Sequence, residues 1–172
     1  QTNVWNNSAT LWDNVIKHYP KATIAYHNMG VYMEQQGRFD EAMQYFMGMI
    51  KSSPNKAEGY FKLGNILALK FDRTGAIRYY SKAIEYEPTY YTAYNNRGNQ
   101  YLIAGMYERA LVDYSQAIKL NTGYESAYLN RGMCYFAQKR YLLAAKDFEK
   151  VLTLNPENEK AKEKLQYIHL NQ

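Results

Sequence analysis

The sequence predicts an all-α fold, a solenoid of stacked helical hairpins. Two observations indicate this fold. Proline returns at a fixed interval, at Pro20, Pro54 and Pro88, each 34 residues after the last, and Pro156 follows after twice that interval. Apolar residues between the prolines follow the spacing of amphipathic helices. A fixed period of roughly 20 to 50 residues is typical of proteins in which each hairpin covers its neighbour.

The same period divides the chain into four units within a single domain spanning 1–172. The units are 23–56, 57–90, 91–124 and 125–158, and four of their columns each keep one kind of side chain. There are two aromatic columns, one glycine column and one alanine column: Tyr26, Tyr60, Tyr94 and Tyr128; Phe46, Tyr80, Tyr114 and Phe148; Gly30, Gly64, Gly98 and Gly132; Ala42, Ala76, Ala110 and Ala144.

Each unit is predicted to form two helices joined by a short turn, which in the first unit is Gln36-Gly37-Arg38. The glycine column falls inside the first helix, where glycine costs about 1 kcal/mol relative to alanine. Close approach of the second helix would offset this cost. We expect the alanine column to form the other side of that contact and the large aromatic residues to fill the space between successive hairpins.

The second unit departs from the pattern at its turn. Arg73 stands where the other units have an aromatic residue, and Phe71-Asp72 stands where glycine appears as Gly37 and Gly105. We therefore expect a shifted turn in this unit, with Phe71 taking part of the aromatic role.

Flanking helices are predicted at both ends of the repeats. Residues 8–20 have the pattern of a second helix from an earlier unit. Residues 157–170 form a last helix, with Ala161, Leu165 and Ile168 on its apolar face and charged residues on the rest. Such helices would cap the open ends of the stack.

The conserved columns within residues 23–156 resemble the tetratricopeptide signature: an aromatic residue, Leu-Gly, an aromatic residue, Ala, Phe, Ala and Pro. The resemblance implies a right-handed superhelical solenoid that binds a protein or peptide, either as an extended peptide or as a partner helix held in its groove. In this family the first helices of successive hairpins line a concave groove. The matching positions predict these groove residues: Asn28, Glu34, Phe61, Lys62, Asn65, Asn95, Asn96, Asn99, Asn130 and Met133.

Asparagine dominates the predicted groove. An amide both donates and accepts hydrogen bonds, so a row of amides can hold the backbone of an extended peptide. The alternative is that asparagine is a tolerated polar residue, with a hydrogen bond to a neighbouring helix. A clamp for a C-terminal carboxylate is disfavoured, because His27, Thr92 and Asn95 stand where basic residues would be needed. Phe61, Leu129, Met133 and Phe136 indicate apolar pockets instead.

Two features of the first helices have structural interpretations. Arg97 and Arg131 precede the glycine column, where leucine is usual, and we favour local salt bridges over binding of an acidic partner. Cys134, the single cysteine, adjoins the aromatic Tyr135 and is interpreted as a small buried apolar residue.

Several functional classes are disfavoured. No nucleophile, base and oxyanion site come together, so we predict no enzymatic activity, and no cofactor or metal site is predicted. The net charge of +5 is spread over both halves of the chain, which does not favour a nucleic-acid partner. No apolar run is long enough for this chain to insert into a membrane.

Two alternatives to groove binding remain open. One is self-association. The other comes from residues 5–12, which resemble the segment that joins the last membrane helix to the repeats in some multi-pass, glycosyltransferase-like membrane proteins. The repeats would then dock a substrate; otherwise Trp5, Leu11 and Trp12 are the apolar side of a capping helix. The start at Gln1 indicates a piece of a longer protein.

Overall fold

The computed structural model describes residues 2–170, with side chains from Thr10 onward. Ten helices and no strands lie in these residues, which confirms the all-α class. The chain divides into two compact units, residues 1–88 and 89–172. The helices are α1 Thr2–His18, α2 Thr23–Gln35, α3 Phe39–Ser52, α4 Ala57–Leu69, α5 Arg73–Tyr86, α6 Tyr91–Ile103, α7 Tyr107–Leu120, α8 Glu125–Ala137, α9 Tyr141–Leu154 and α10 Glu159–Leu170.

In the first compact unit, α2 pairs with α3 and α4 with α5, and α3 packs on α4. Its core includes Phe46 of α3 and Leu63 of α4. Helix α1 begins earlier than predicted, at Thr2, and covers α2. Trp12 and Ile16 pack against the core from α1. The Trp5 side chain in the membrane-protein-like segment lies outside the described residues.

The second compact unit repeats this arrangement. Helix α6 pairs with α7, α8 pairs with α9, and α10 packs on α9 as a final helix. Ala161, Leu165 and Ile168, the predicted apolar face of the last helix, are buried. Within residues 2–170, no helix combines the length and apolar character that crossing a bilayer requires.

The glycine column lets the two helices of each hairpin approach closely, as predicted. A Cβ atom placed on Gly98 would lie 2.7 Å from Cε1 of Tyr114, and one on Gly64 would lie 2.6 Å from Cδ1 of Tyr80. The second aromatic column, rather than the alanine column, therefore forms the other side of the contact. The alanine prediction is wrong because the aromatic rings lie against the glycine positions.

The turn of the second repeat is not shifted, and Phe71 does not take an aromatic core role. Its side chain is 93% exposed. Phe71 has φ 61°, close to the 71° of Gly37 at the corresponding position. The Phe71 and Asp72 amides donate to the carbonyls of Ala68 and Leu67 at 3.1 and 2.9 Å. The same two hydrogen bonds close the turn at Gly37, so backbone geometry outweighs the side chain's preference for burial.

Candidate peptide-binding groove

The groove columns of the first compact unit lie on α2 and α4. Asn28, Glu34, Phe61, Lys62 and Asn65 are all half-buried there. Each of these side chains therefore combines a packed part with a part open to solvent. The five groove residues predicted in this unit thus lie on its two first helices.

A polar contact joins the two first helices of this unit. Nδ1 of His27 on α2 lies 3.2 Å from Oε1 of Glu58 on α4, without hydrogen-bond geometry. Both residues occupy groove columns. The groove columns of the first unit therefore include a charged side chain, Glu58, as well as the apolar Phe61.

In the second unit, three amides link α6 to α8. Asn95 donates from Nδ2 to Oδ1 of Asn96 at 3.2 Å, and Asn130 donates from Nδ2 to Oδ1 of Asn95 at 3.0 Å. Asn95 is 3% exposed, whereas Asn96 and Asn130 are half-buried. Asn95 thus lies deeper than Asn96 and Asn130 and is hydrogen-bonded to both.

Asn65 and Asn99 each accept a hydrogen bond from a neighbouring helix. The hydroxyl of Tyr80 donates to Asn65 Oδ1 at 2.9 Å, and that of Tyr114 donates to Asn99 Oδ1 at 2.8 Å. This is the hydrogen bond expected under the alternative interpretation of the asparagines. A buried tyrosine hydroxyl needs such an acceptor.

The sequence contains a signal for this pairing. Each groove residue in this column has its partner 15 positions later in the second aromatic column. Asparagine accompanies tyrosine in the second and third repeats, and an apolar residue accompanies phenylalanine in the first and fourth. The pairs are Val31 with Phe46, Asn65 with Tyr80, Asn99 with Tyr114, and Met133 with Phe148.

Apolar residues in the predicted groove columns of α8 pack against α10. Met133 and Phe136 are half-buried and pack against the core that α9 and α10 share. The rings of Phe136 and Tyr167 are 5.3 Å apart at 63°, and Lys164 Nζ lies 5.5 Å from the centre of the Phe136 ring.

The contribution of α10 was missed because this helix was interpreted only as a solvated cap. Continuing the period of 34 past residue 158 would have found it, since Lys164, Tyr167 and Leu170 continue the columns of Asn130, Met133 and Phe136.

Two buried ion pairs neutralise the arginines next to the groove. Arg97 donates through Nε and Nη2 to Asp113 at 2.8 and 2.7 Å, and Arg131 does the same to Asp147 at 2.8 Å in both bonds. Arg131 also donates to Ser115 at 3.1 Å. These bonds confirm the structural interpretation of both arginines.

Burial is the main influence on the pKa of Asp113 in its ion pair with Arg97. Asp113 is 3% exposed, and burial raises the pKa of its carboxyl, with Arg97 offsetting part of the effect. Asp113 lies 16 positions after Arg97, where the second repeat has Tyr79 after Leu63. The aspartates were missed by the sequence analysis, although this repeated offset would have identified them.

The single cysteine, Cys134, has a structural role. Cys134 is buried, and burial raises the pKa of its thiol to about 11, so the thiol stays protonated at neutral pH. This confirms its interpretation as a small buried residue. Among the residues whose side chains are described, no three His, Cys, Asp or Glu are placed to share a metal ion.

Comparison with solved structures supports the fold. The MamA protein has a TM-score of 0.78 and 25% identity over 86% of this chain and 81% of its own. YrrB, described as a TPR protein with an unusual peptide-binding site, has a TM-score of 0.77 and 19% identity over 94% and 84%. The first TPR of Spaghetti (RPAP3), solved bound to the HSP90 peptide SRMEEVD, has a TM-score of 0.66 and 31% identity over 67% and 92%.

Sequence comparison identifies the family. No curated protein matches the chain. Models of the tetratricopeptide repeat match residues 5–57, 57–90, 91–124 and 126–158. These matches cover most of the chain and include every predicted repeat. The chain belongs to the tetratricopeptide repeat family.

Proposed function

We propose that this chain is a non-catalytic protein-interaction scaffold that holds an extended polypeptide along the groove columns of its first helices. The observation that carries the proposal is the amide network of α6 and α8. Asn95 is buried and hydrogen-bonded to the half-buried Asn96 and Asn130, which restricts their orientation. Groups held in place before binding lose less conformational freedom when a ligand arrives.

The amides have the chemistry that a peptide backbone requires. Asn130 uses Nδ2 within the network, and its Oδ1 accepts no hydrogen bond from the described residues. This oxygen can accept from a backbone N–H of a bound peptide. Asn28 on α2 occupies the same column, and its side-chain amide makes no hydrogen bond to the described residues, so its Oδ1 and Nδ2 can both bond a peptide backbone.

The other predicted residues have distinct parts in this proposal. Phe61 and Met133 offer apolar contacts, and Glu34 and Lys62 offer charge in the first unit. Asn65 and Asn99 mainly accept hydrogen bonds from tyrosine hydroxyls, and they contribute to ligand binding only secondarily. The solved complex of the RPAP3 relative with a peptide supports peptide binding by a repeat array of this kind.

The proposal can be tested with peptides selected from a random display library on the immobilised chain. Affinities would be measured by fluorescence polarisation for the parent, Asn28→Ala and Asn130→Ala. Losing one hydrogen bond of about 0.5–1.5 kcal/mol weakens binding by roughly two- to tenfold. Each selected peptide should be sensitive to at least one of the two substitutions.

Matched controls separate groove contacts from general effects. Gln44→Ala and Gln116→Ala remove amides from the second helices α3 and α7, outside the groove columns, and should leave affinity unchanged. Asn130→Ala removes the donor to buried Asn95, so its folding must be checked by circular dichroism at the binding temperature. Peptides that bind all four variants equally would contradict the groove assignment.

The two alternatives stay predictions with simple tests. A concentration series in light scattering that shows only monomer would remove self-association. Docking of a substrate in a glycosyltransferase-like membrane protein requires hydrophobic helices upstream of residue 1 in the parent gene product.

A further inference from the structure

We infer that the groove of the second unit selects an extended peptide segment without charged side chains, whose large apolar residue lies toward α10. This inference rests on the proposed function and specifies the chemistry of the ligand. It concerns the groove columns of α6, α8 and α10 alone.

The first step is the absence of charge from the groove columns of α6 and α8. These columns hold only amide, hydroxyl and apolar side chains: Thr92, Asn95, Asn96, Asn99 and Leu102 on α6, and Ser126, Leu129, Asn130, Met133 and Phe136 on α8. The columns of the first unit differ, since they include Glu34, Glu58 and Lys62. The α6 and α8 part of this groove is therefore uncharged, within a chain whose net charge is +5.

The second step is that the neighbouring arginines are already neutralised. Arg97 and Arg131 each direct two guanidinium N–H groups at a buried aspartate, and Arg131 directs a third at Ser115. A peptide carboxylate over α6 or α8 would lose hydration without gaining an ionic partner. Desolvating a charge without such compensation is strongly unfavourable, so acidic segments are selected against.

The third step is the apolar surface toward the C-terminal end. Phe136 meets Tyr141 at 5.4 Å and Tyr167 at 5.3 Å, both edge to face. Tyr167 is 46% exposed and Leu170, on the same column as Phe136, is 77% exposed. Lys164 lies over the Phe136 ring and is bonded to Glu163 at 2.8 Å, so its charge has a partner. This surface fits one large aliphatic or aromatic side chain.

Together these features give the groove a direction. The amides on α6 and α8 are suited to the peptide backbone, and the aromatic surface that α8, α9 and α10 form is suited to a side chain. Backbone contacts supply affinity with little sequence preference, whereas the apolar surface supplies the preference. The peptide SRMEEVD, which the RPAP3 relative binds, carries Arg, Glu and Asp side chains, and we expect this groove to disfavour their charges.

The test uses the full chain and the display-selected peptides whose affinity depends on Asn130. We expect these peptides to be depleted of Asp, Glu, Lys and Arg over the bound segment and to share one large apolar residue. Binding of SRMEEVD should be at least about tenfold weaker than binding of these peptides. The double variant Asn96→Lys and Asn130→Lys should bind SRMEEVD more tightly, because it offers the acidic residues a cationic partner. The difference in affinity between SRMEEVD and the selected peptides should therefore become smaller.

A second pair of variants tests the apolar end. Tyr167→Ala should weaken binding of the selected peptides by about tenfold, as expected for a central aromatic contact. Leu142→Ala, which removes an exposed apolar side chain from α9 outside the groove columns, should change affinity less than twofold. Thermal unfolding of both variants establishes that they are folded at the binding temperature.

The outcomes separate this inference from the proposed function. If SRMEEVD binds as tightly as the selected peptides and depends on Asn130, the scaffold function stands and the selectivity is wrong. If Tyr167→Ala and Leu142→Ala change the affinity for the selected peptides equally, the assignment of the peptide's apolar residue to the surface at α10 is wrong. If every selected peptide depends on Asn28 alone, the second unit's groove has no such role, and if no peptide is selected, both proposals fail.

Discussion

Replacing Phe71 with glycine should stabilise the chain, although the substitution removes a large apolar side chain. Phe71 is 93% exposed, so its loss gives up almost no buried area. Its φ of 61° lies in the left-handed region, where glycine occupies the corresponding turns at Gly37 and Gly105 with φ 71°. The hydrogen bonds that close the turn use backbone atoms only and would be kept.

The size of the gain follows from two opposing terms. A residue with a Cβ in the left-handed region costs about 1–2 kcal/mol, which glycine would recover. Glycine loses more backbone freedom on folding, at a cost of roughly 0.5–1 kcal/mol. The net stabilisation is about 0.5–1 kcal/mol, which for a chain of this size raises the melting temperature by about 1–4 °C.

The assay is urea and thermal unfolding followed by circular dichroism at 222 nm. Phe71→Ala is the matched control, because it removes the ring but keeps the Cβ and therefore the strain. Lys139→Gly, at the corresponding turn with φ 58°, should stabilise like Phe71→Gly, and Gly105→Ala should destabilise. If Phe71→Gly is no more stable than Phe71→Ala, the strain argument is refuted.

Three further predictions concern packing, ion pairs and pH. Gly98→Val should lower the free energy of unfolding by about 1–3 kcal/mol, because its Cβ would lie 2.7 Å from Cε1 of Tyr114; an unchanged melting temperature would contradict this packing. Arg97→Leu should cost about 3–5 kcal/mol by leaving Asp113 buried and unpaired, and adding Asp113→Tyr should restore most of the loss in urea unfolding. Burial raises the pKa of the Tyr60 phenol to about 12 from an ordinary 10.0, so the stability it contributes is full below pH 10 and lost as the pH rises to about 12. Tyr60→Phe should therefore lose less stability across that window in pH-dependent unfolding, and an equal loss would rule out this phenol as a source.

Much of the fold follows from periodicity alone, because repeated units must present the same packing surface to one another. The glycine column predicted that the two helices of each hairpin approach closely. Its aromatic partner was not predicted, since sequence spacing gives the face of a helix but not which residue on the opposite helix reaches it. Phe71 shows a second limit of sequence patterns. Its apolar side chain favours burial, whereas the backbone of the turn directs it into solvent.

The sequence assigns residues to the candidate site but does not predict how deeply each of them is buried. The family pattern placed Asn95, Asn96 and Asn130 on the groove side of their helices. Whether each amide is exposed depends on how closely α6 and α8 approach each other. The pattern of residues along a single helix does not specify that distance. Asn95 is buried and bonded to the other two, so one predicted contact residue supports its neighbours instead.

The repeats of one chain can also be compared with one another, and this comparison divides the groove residues into two groups. Asn65 and Asn99 change together with the hydroxyl of a tyrosine 15 positions later, and so their amides are explained by folding. In the column of Asn28, Lys62, Asn96 and Asn130, the hydrogen bonds of Asn96 and Asn130 to buried Asn95 give these two amides a part in folding as well. Asn130 uses its Nδ2 for the fold and keeps its Oδ1 for a ligand, so we expect selection by a ligand to act on the second group in addition to folding.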